Sequence, residues 1–191
     1  MWGRIASCAP IVSALFESVS SYKEPIENRL QDAILPHKVH EMLKEGDKAP
    51  DIQLESDSGE PFRLSSLKGK KVVLYFYPRA DTPGCTIEAC EFRDNSKKLA
   101  KKNAVIVGIS PDAVKSQAKF KSKFDLPFTL LCDVDKDAAQ AYGVYKEKNM
   151  YGKKVMGIER TTFIIGEDGR IARIFPKVKA QGHAEQILSA L

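Results

Sequence analysis

Cys85 is the residue of this sequence best placed for nucleophilic chemistry. The run VVLYFY at residues 72–77 is short, apolar and rich in β-branched and aromatic side chains, and Pro78 stops it, which predicts a buried strand. A loop at residues 79–84 follows, and good helix formers continue from Cys85. Cys85 is therefore predicted at a helix N-terminus, where unpaired N–H groups and the helix dipole stabilise a thiolate, the reactive form of cysteine.

A second cysteine, Cys90, follows five residues later in the same predicted helix. In a regular helix the two residues would lie about 140° apart around the axis, with their Cα atoms roughly 8 to 9 Å apart, beyond the limit of about 7 Å for a disulfide. A bond between Cys85 and Cys90 would therefore require local unwinding of the helix. The spacing also differs from the C-x-x-C redox motif, and without a second cysteine pair it makes a poor zinc site.

The rest of the chain supplies elements that could position this segment. Glu88 and Glu91 come early in the cysteine helix and lysines come late, which is the polarity that a helix dipole favours. Further strands are predicted at residues 104–110, 128–134, 160–165 and 170–175, and helices at 111–124, 135–142 and 183–191. Val114, Ala118 and Phe120 or Lys121 would form the inner face of the second helix. This alternation predicts an α/β fold with a central mixed β-sheet flanked by helices.

The sequence PRADTPGCTIEAC resembles the active-site segment of the peroxiredoxins, specifically the bacterioferritin-comigratory-protein or peroxiredoxin Q type. The family pattern P-x-x-x-T-x-x-C is met by Pro78, Thr82 and Cys85, and the resolving position five residues on is met by Cys90. A downstream family arginine, usually before Thr-x-Phe, is met by Arg160 in ERTTFIIG. The resemblance implies the thioredoxin-like fold.

The resemblance also implies a function, a thioredoxin-dependent peroxidase. The Cys85 thiolate would attack hydrogen peroxide or an organic hydroperoxide, release water or an alcohol, and become a sulfenic acid. Cys90 would then form an intramolecular disulfide, which thioredoxin or a similar dithiol protein would reduce. No metal, flavin, haem or other cofactor is needed.

Three further residues would assist this chemistry. Arg160 stays protonated and offers a fork of donors, so it would stabilise the thiolate and hold a peroxide oxygen. Thr82 would supply a hydroxyl that can donate and accept hydrogen bonds. Pro78 would shape the loop and shield the thiolate from water.

Each of these residues also has an ordinary structural role to be weighed. Cys85 and Cys90 could be small core residues, as Cys132 in its apolar run is expected to be, and Arg160 could be a surface charge. Arg79 and Arg93 are expected to be surface or helix charges, and Cys8 is expected to be an incidental residue of the N-terminal extension, without a role in the chemistry. The histidines, His37, His40 and His183, are poorly placed for a papain-like Cys–His pair.

The sequence alone leaves two rival functions open. The nearer rival is a thiol–disulfide oxidoreductase of the thioredoxin fold without peroxidase activity, which would normally carry C-x-x-C. The further rival is a non-catalytic binding module that uses the basic surface.

Composition and charge set limits on domains, partners and location. The 191 residues, 43% hydrophobic, suffice for one core and an appendage, with a peroxiredoxin domain predicted at residues 43–191 and a flexible or helical extension at residues 1–42. The net charge of +5 comes from dispersed lysines, which argues against a nucleic-acid site. Four cysteines without framework spacing suit a reducing compartment, so we expect a cytoplasmic protein. We also expect it to be a monomer. If the extension contains a weak targeting peptide, an organelle is the alternative location. The apolar run in the extension is too short to insert stably in a membrane.

Overall fold

The computed structural model describes residues 43–150 and 153–191, with side chains described outside residues 149–153. The predicted extension at residues 1–42, including Cys8, His37 and His40, lies outside the described residues. In chain order the elements are β1 (Gln53–Ser56), β2 (Pro61–Arg63), a 3₁₀ helix (Leu64–Leu67), β3 (Lys71–Phe76), α1 (Pro83–Lys101), β4 (Ala104–Ser110), α2 (Val114–Lys123), β5 (Thr129–Cys132), α3 (Asp137–Ala141), β6 (Tyr145–Met150), β7 (Lys153–Ile158), β8 (Thr161–Ile165), β9 (Ile171–Phe175) and α4 (His183–Ala190).

Seven of these strands form one mixed sheet in the order β2-β1-β5-β4-β3-β8-β9. The central strands β3, β4 and β5 are parallel, whereas β8 lies antiparallel to β3 and β9 antiparallel to β8. The carboxyl end of β3 therefore lies beside the amino end of β8, with Phe76 paired to Thr161. The predicted α/β fold with a mixed sheet flanked by helices is confirmed.

Strand β3 is buried on both faces of the sheet, because its side chains alternate between two cores. Val73 and Tyr75 pack in the core that α1, α2 and α4 cover, and Leu74 and Phe76 pack in the core that α3 and the 3₁₀ helix cover. This burial fixes β3 in register. The loop that follows β3 and leads to Cys85 therefore starts from a fixed point at the carboxyl end of a central strand.

The inner face of α2 differs from its prediction. Phe120 is buried as expected, but Ala118 is exposed and Gln117 is fully buried. The amide of Gln117 is satisfied inside the protein: Nε2 donates to the Leu131 carbonyl at 3.0 Å and Oε1 accepts from the Tyr77 hydroxyl at 2.5 Å. An apolarity pattern could not find this position, because it assigns polar residues to the surface.

The antiparallel hairpin β6–β7 was not predicted. Its sequence is dominated by lysines and lacks the apolar alternation that marks a half-buried strand. Among the described residues, no helix combines the length and apolar character needed to cross a membrane.

Candidate active site

Cys85 lies in the first turn of α1, which follows the loop at the carboxyl end of β3. The N–H of Tyr77 donates to the Ile109 carbonyl at 3.0 Å, which continues the sheet pairing one residue past β3. The chain then turns through Pro78 to Thr82, and Thr82 is the N-cap residue of a helix that begins at Pro83. Proline suits this first helical position because its missing N–H would be unpaired there. The predicted location of Cys85 at a helix N-terminus is observed, and the thiol is buried, with 2% of the residue exposed.

The pairing of β8 with β3 brings Arg160 to this thiol. Arg160 immediately precedes β8, and its carbonyl accepts from the Val178 N–H at 2.9 Å, which anchors the backbone. Its Nη2 lies 3.1 Å from Sγ of Cys85, a hydrogen-bond contact. Gly84 lies beside this contact, and a Cβ there would be at an ordinary van der Waals distance of 3.4 Å from Nη2.

Glu88 holds the other side of the Arg160 guanidinium. Nη1 of Arg160 donates to Oε2 of Glu88 and forms an ion pair. The arginine side chain is 15% exposed and the glutamate side chain is fully buried. Burial raises the pKa of Glu88 to about 7, although Arg160 opposes the shift. Burial alone would lower the pKa of Arg160, but the charges of Glu88 and Cys85 outweigh it and raise that pKa, so the guanidinium stays charged.

Glu88 therefore differs from its predicted role as a dipole-stabilising charge. The first turn of α1 contains no acidic residue. Glu91 instead caps α4, since its carboxylate accepts from the Gly182 N–H at 2.7 Å and the Ala184 N–H at 3.4 Å. The late lysines agree with the prediction, because Lys98 and Lys101 lie in the last turn.

Thr82 and Pro78 occupy the loop between β3 and α1. The Thr82 hydroxyl donates to the Arg79 carbonyl at 3.0 Å, so in this structure it braces the loop. Pro78 is exposed, whereas the preceding Tyr77 is fully buried in the same core cluster as Cys85. The shielding expected of Pro78 and the substrate contact expected of Thr82 stay predictions.

A chain of hydrogen bonds ties the same loop to the neighbouring strand. The Ala80 N–H donates to Oδ2 of Asp112 at 2.7 Å, and the Ser110 hydroxyl donates to the same oxygen at 2.7 Å. Ser110 in turn accepts from the buried amide of Gln117 at 2.8 Å. Asp112 therefore fixes the loop relative to the carboxyl end of β4.

Cys90 lies in the same regular helix as Cys85, and both thiols are free. Cys90 is half-buried, and its neighbour Arg93 is held by the Phe124 carbonyl at 2.9 Å. The two cysteines share one unbroken helix, which is the arrangement for which the sequence predicted unwinding before a disulfide can form.

The other candidate residues lie apart from the thiol. Cys132 is buried on β5, as expected of a packing residue, and burial raises its pKa to about 11. His183 is buried and bonded through Nε2 to the Thr162 hydroxyl at 2.8 Å, and burial lowers its pKa. In the part of the chain that the structure describes, no group of three or more His, Cys, Asp or Glu residues is arranged to hold a metal ion.

Sequence reasoning missed three residues near the site, namely Glu88, Asp112 and Lys148. Lys148 reaches from β6 to the Ile158 carbonyl and interacts electrostatically with Cys85; burial lowers its pKa. A signal existed for Glu88, because residues three apart lie on one helix face and Cys85 must face the core. No comparable signal marks Asp112 or Lys148, because only tertiary structure brings Asp112 to the loop and Lys148 into electrostatic range of Cys85.

Comparison with known proteins agrees with this geometry. The family model described as AhpC/TSA family matches residues 45–174, about two thirds of the chain. The chain belongs to the AhpC/TSA family. It is 49% identical over 146 residues to peroxiredoxin Bcp of Bacillus subtilis, covering 76% of this chain and 93% of that one. It is 41% identical over 149 residues to peroxiredoxin Bcp of Escherichia coli, covering 78% and 96%.

Solved structures of this family have the same fold. A bacterioferritin comigratory protein of Xanthomonas campestris, studied for its alkyl peroxide reduction activity, aligns with a TM-score of 0.72 at 39% identity and covers 78% of this chain and 94% of its own. The predicted resemblance to the peroxiredoxin Q type and the thioredoxin-like fold are confirmed. The prediction of a peroxidase is confirmed at the level of the family, and the alternative, a thiol–disulfide oxidoreductase without peroxidase activity, receives no support.

Proposed function

We propose that this chain is a thioredoxin-dependent peroxidase that reduces hydrogen peroxide and organic hydroperoxides through Cys85. The observation that carries the proposal is the 3.1 Å contact between Nη2 of Arg160 and Sγ of Cys85 at the start of α1. A permanent cation and a helix N-terminus both favour the thiolate over the thiol. Family membership supports the same chemistry.

In the first step the Cys85 thiolate attacks the terminal peroxide oxygen. The S–O bond forms as the O–O bond breaks, which oxidises the sulfur to a sulfenic acid and leaves water or an alcohol after protonation. Negative charge moves from sulfur to the leaving oxygen during this step. Arg160 is positioned to stabilise that charge, and we assign Thr82 and Pro78 to shaping the substrate end of the site.

In the second step Cys90 attacks the sulfenic acid and expels water. The product is an intramolecular disulfide, and a thioredoxin-type dithiol protein reduces it by exchange. Cys90 lies on the same helix as Cys85 and is half-buried. This location supports the assignment, because the disulfide can form without a second chain.

The remaining assignments concern the whole chain. We propose that residues 43–191 contain all of the chemistry and that residues 1–42 are an appendage, because the residues with proposed roles all lie in the former. A monomer in the cytoplasm stays our prediction, with an organelle as the alternative.

The test is peroxide-dependent oxidation of thioredoxin by the wild type and by Cys85→Ser. We expect the variant to lose turnover, because a hydroxyl does not ionise near neutral pH. Cys90→Ser should react with one equivalent of peroxide and then stop. Cys132→Ser is the matched control, since it removes a buried thiol from β5 and should retain turnover. Sustained turnover by Cys85→Ser would locate the nucleophile elsewhere.

A further inference from the structure

Two acids share one cation in the candidate active site. Arg160 contacts Cys85 through Nη2 and Glu88 through Nη1, so the guanidinium lies between a thiol and a carboxyl group. Cys85 is 2% exposed and Glu88 is fully buried, so water screens neither of them effectively. If both acids were ionised, the three groups would carry a net negative charge in a dry environment, which is costly.

Glu88 is the acid better suited to hold a proton while Cys85 is a thiolate. Only one of its carboxylate oxygens is paired with Arg160; the other, Oε1, is buried and receives no donor from the described part of the protein. Cys85, in contrast, lies at the N-terminus of α1, where the helix dipole favours its anion. Burial raises the pKa of Glu88 to about 7, which agrees with this assignment.

The other groups near Glu88 do not change this conclusion. From β3, the buried Tyr75 interacts electrostatically with Glu88, and burial raises the pKa of Tyr75 well above its usual value, so the phenol stays neutral. From its own helix, Glu91 adds a negative charge that further favours the protonated form of Glu88. Lys148 of β6 interacts electrostatically with Cys85 and Arg160, but burial lowers its pKa, and within these described surroundings Arg160 is the cation that Glu88 contacts directly.

We propose that Glu88 is a positioning residue with a second role as a redox-linked proton reservoir: it holds a proton while Cys85 is a thiolate and releases it when Cys85 becomes a sulfenic acid. The inference rests on the proposed peroxidase function. It extends that function by assigning the source of the proton that the leaving group requires.

The thiolate and ROOH give the sulfenic acid and RO⁻, with the S–O bond formed, the O–O bond broken and two electrons passed from sulfur to the peroxide. The sulfenic acid is neutral, so Arg160 then faces one acid only, and Glu88 ionises to pair with it. The proton that Glu88 releases equals the proton that RO⁻ takes up to become ROH. The oxidation step therefore draws no net proton from solvent.

The proton balance can be measured directly. Reduced protein in weakly buffered solution near neutral pH is mixed with one equivalent of hydrogen peroxide, with a pH indicator reporting proton uptake and ultraviolet absorbance reporting thiolate loss. We expect the wild type to lose its thiolate with little proton uptake and Glu88→Gln to take up one proton per thiolate lost. Glu185→Gln is the matched control, since it neutralises an exposed carboxylate on α4 that does not interact with Glu88, and should resemble the wild type.

An infrared difference spectrum of the wild type gives a second readout that does not depend on the folding of a variant. Oxidation should remove the carbonyl band of a buried carboxylic acid. A wild type that takes up one proton per thiolate, or shows no loss of that band, would overturn the proton-reservoir role. If the peroxidase function itself were wrong, peroxide would remove no thiolate at all, so the two failures are distinguishable.

Discussion

Oxidation of this protein should unwind the first turns of α1. Cys85 and Cys90 lie in one helix that runs without interruption from Pro83 to Lys101, and both are free thiols. A regular helix separates their Cα atoms by roughly 8 to 9 Å, whereas a disulfide needs about 7 Å or less. The Cys85–Cys90 bond of the proposed cycle therefore cannot form until the hydrogen bonds between these residues open.

The contacts in this segment set the scale of the cost. Opening breaks about four helical hydrogen bonds, each worth roughly 1 kcal/mol net. It also exposes Cys85 and Ala89, small side chains that are now almost fully buried and whose exposure costs roughly 1 to 2 kcal/mol together. Loss of the buried Glu88–Arg160 ion pair adds roughly 3 kcal/mol, and backbone freedom regained at five or six residues, about 1 kcal/mol each, offsets roughly 5 to 6 kcal/mol. A net cost of about 3 kcal/mol is within the range of local opening in native proteins.

The unwinding should end near Glu91. The Glu91 carboxylate caps α4 through the N–H groups of Gly182 and Ala184. The next residue, Phe92, is fully buried, with ring centroids 4.9 Å from Tyr75 and 5.7 Å from His183. These contacts hold the helix from this point onward. Amides up to one turn beyond the unwound segment also lose their hydrogen-bond acceptors, because each helical N–H bonds to the carbonyl four residues earlier.

Hydrogen exchange measures this boundary. In the disulfide form, amides at residues 86–93 should exchange about 10²-fold faster than in the reduced form, because 3 kcal/mol corresponds to roughly two factors of ten. Amides at residues 96–101 should be unchanged. Cys90→Ser treated with peroxide is the control, since it is oxidised at Cys85 without a disulfide. Equal protection in both redox states, or a disulfide mapped to Cys132 or to a second chain, would refute this reasoning.

Two substitutions test the residues around the thiol. Arg160→Ala should lower the second-order rate constant with hydrogen peroxide by a factor of about 10² to 10³, the usual cost of losing one transition-state donor. The control Lys154→Ala, which removes an exposed lysine paired with Glu147, should leave that rate constant unchanged. An unchanged rate constant in Arg160→Ala would exclude Arg160 from the chemistry. Asp112→Asn should lower both the free energy of unfolding in urea, by roughly 1 to 2 kcal/mol, and the peroxide rate, because the carboxylate fixes the Ala80 N–H. The exposed Asp135→Asn is its control, and a loss of stability with full activity would limit Asp112 to folding.

The sequence was most informative where a local pattern and the tertiary role coincide. The run at residues 104–110 is apolar because β4 is covered on both faces, and its predicted bounds match the observed strand, Ala104–Ser110. The same holds for the segment from β3 to Cys85, because proline, glycine and helix-capping preferences act within a few residues. These local rules were enough to predict Cys85 at a helix N-terminus.

Local patterns fail for the hairpin β6–β7. Its lysine-rich strands pair with each other and lie outside the seven-stranded sheet, so their residues do not follow the apolar alternation of a strand that covers a core. Lys148 interacts with Cys85 because strand pairing brings it to the Ile158 carbonyl, two residues before Arg160. The position of such a side chain depends on strand pairing, which the sequence pattern did not reveal.

Buried polar residues are the other class that sequence patterns cannot assign, and here they surround the chemistry. Gln117 and Glu88 have no exposed surface, yet their polarity alone predicts the outside of their helices, although the spacing of Glu88 from Cys85 indicates the inner face. Each is tolerated because a partner from a distant strand satisfies it: Tyr77 for Gln117 and Arg160 for Glu88. The two partners differ in kind. An amide bonded to a hydroxyl and a carbonyl fixes geometry and nothing more, whereas a carboxyl group that shares its cation with a thiol responds to the oxidation state of that thiol.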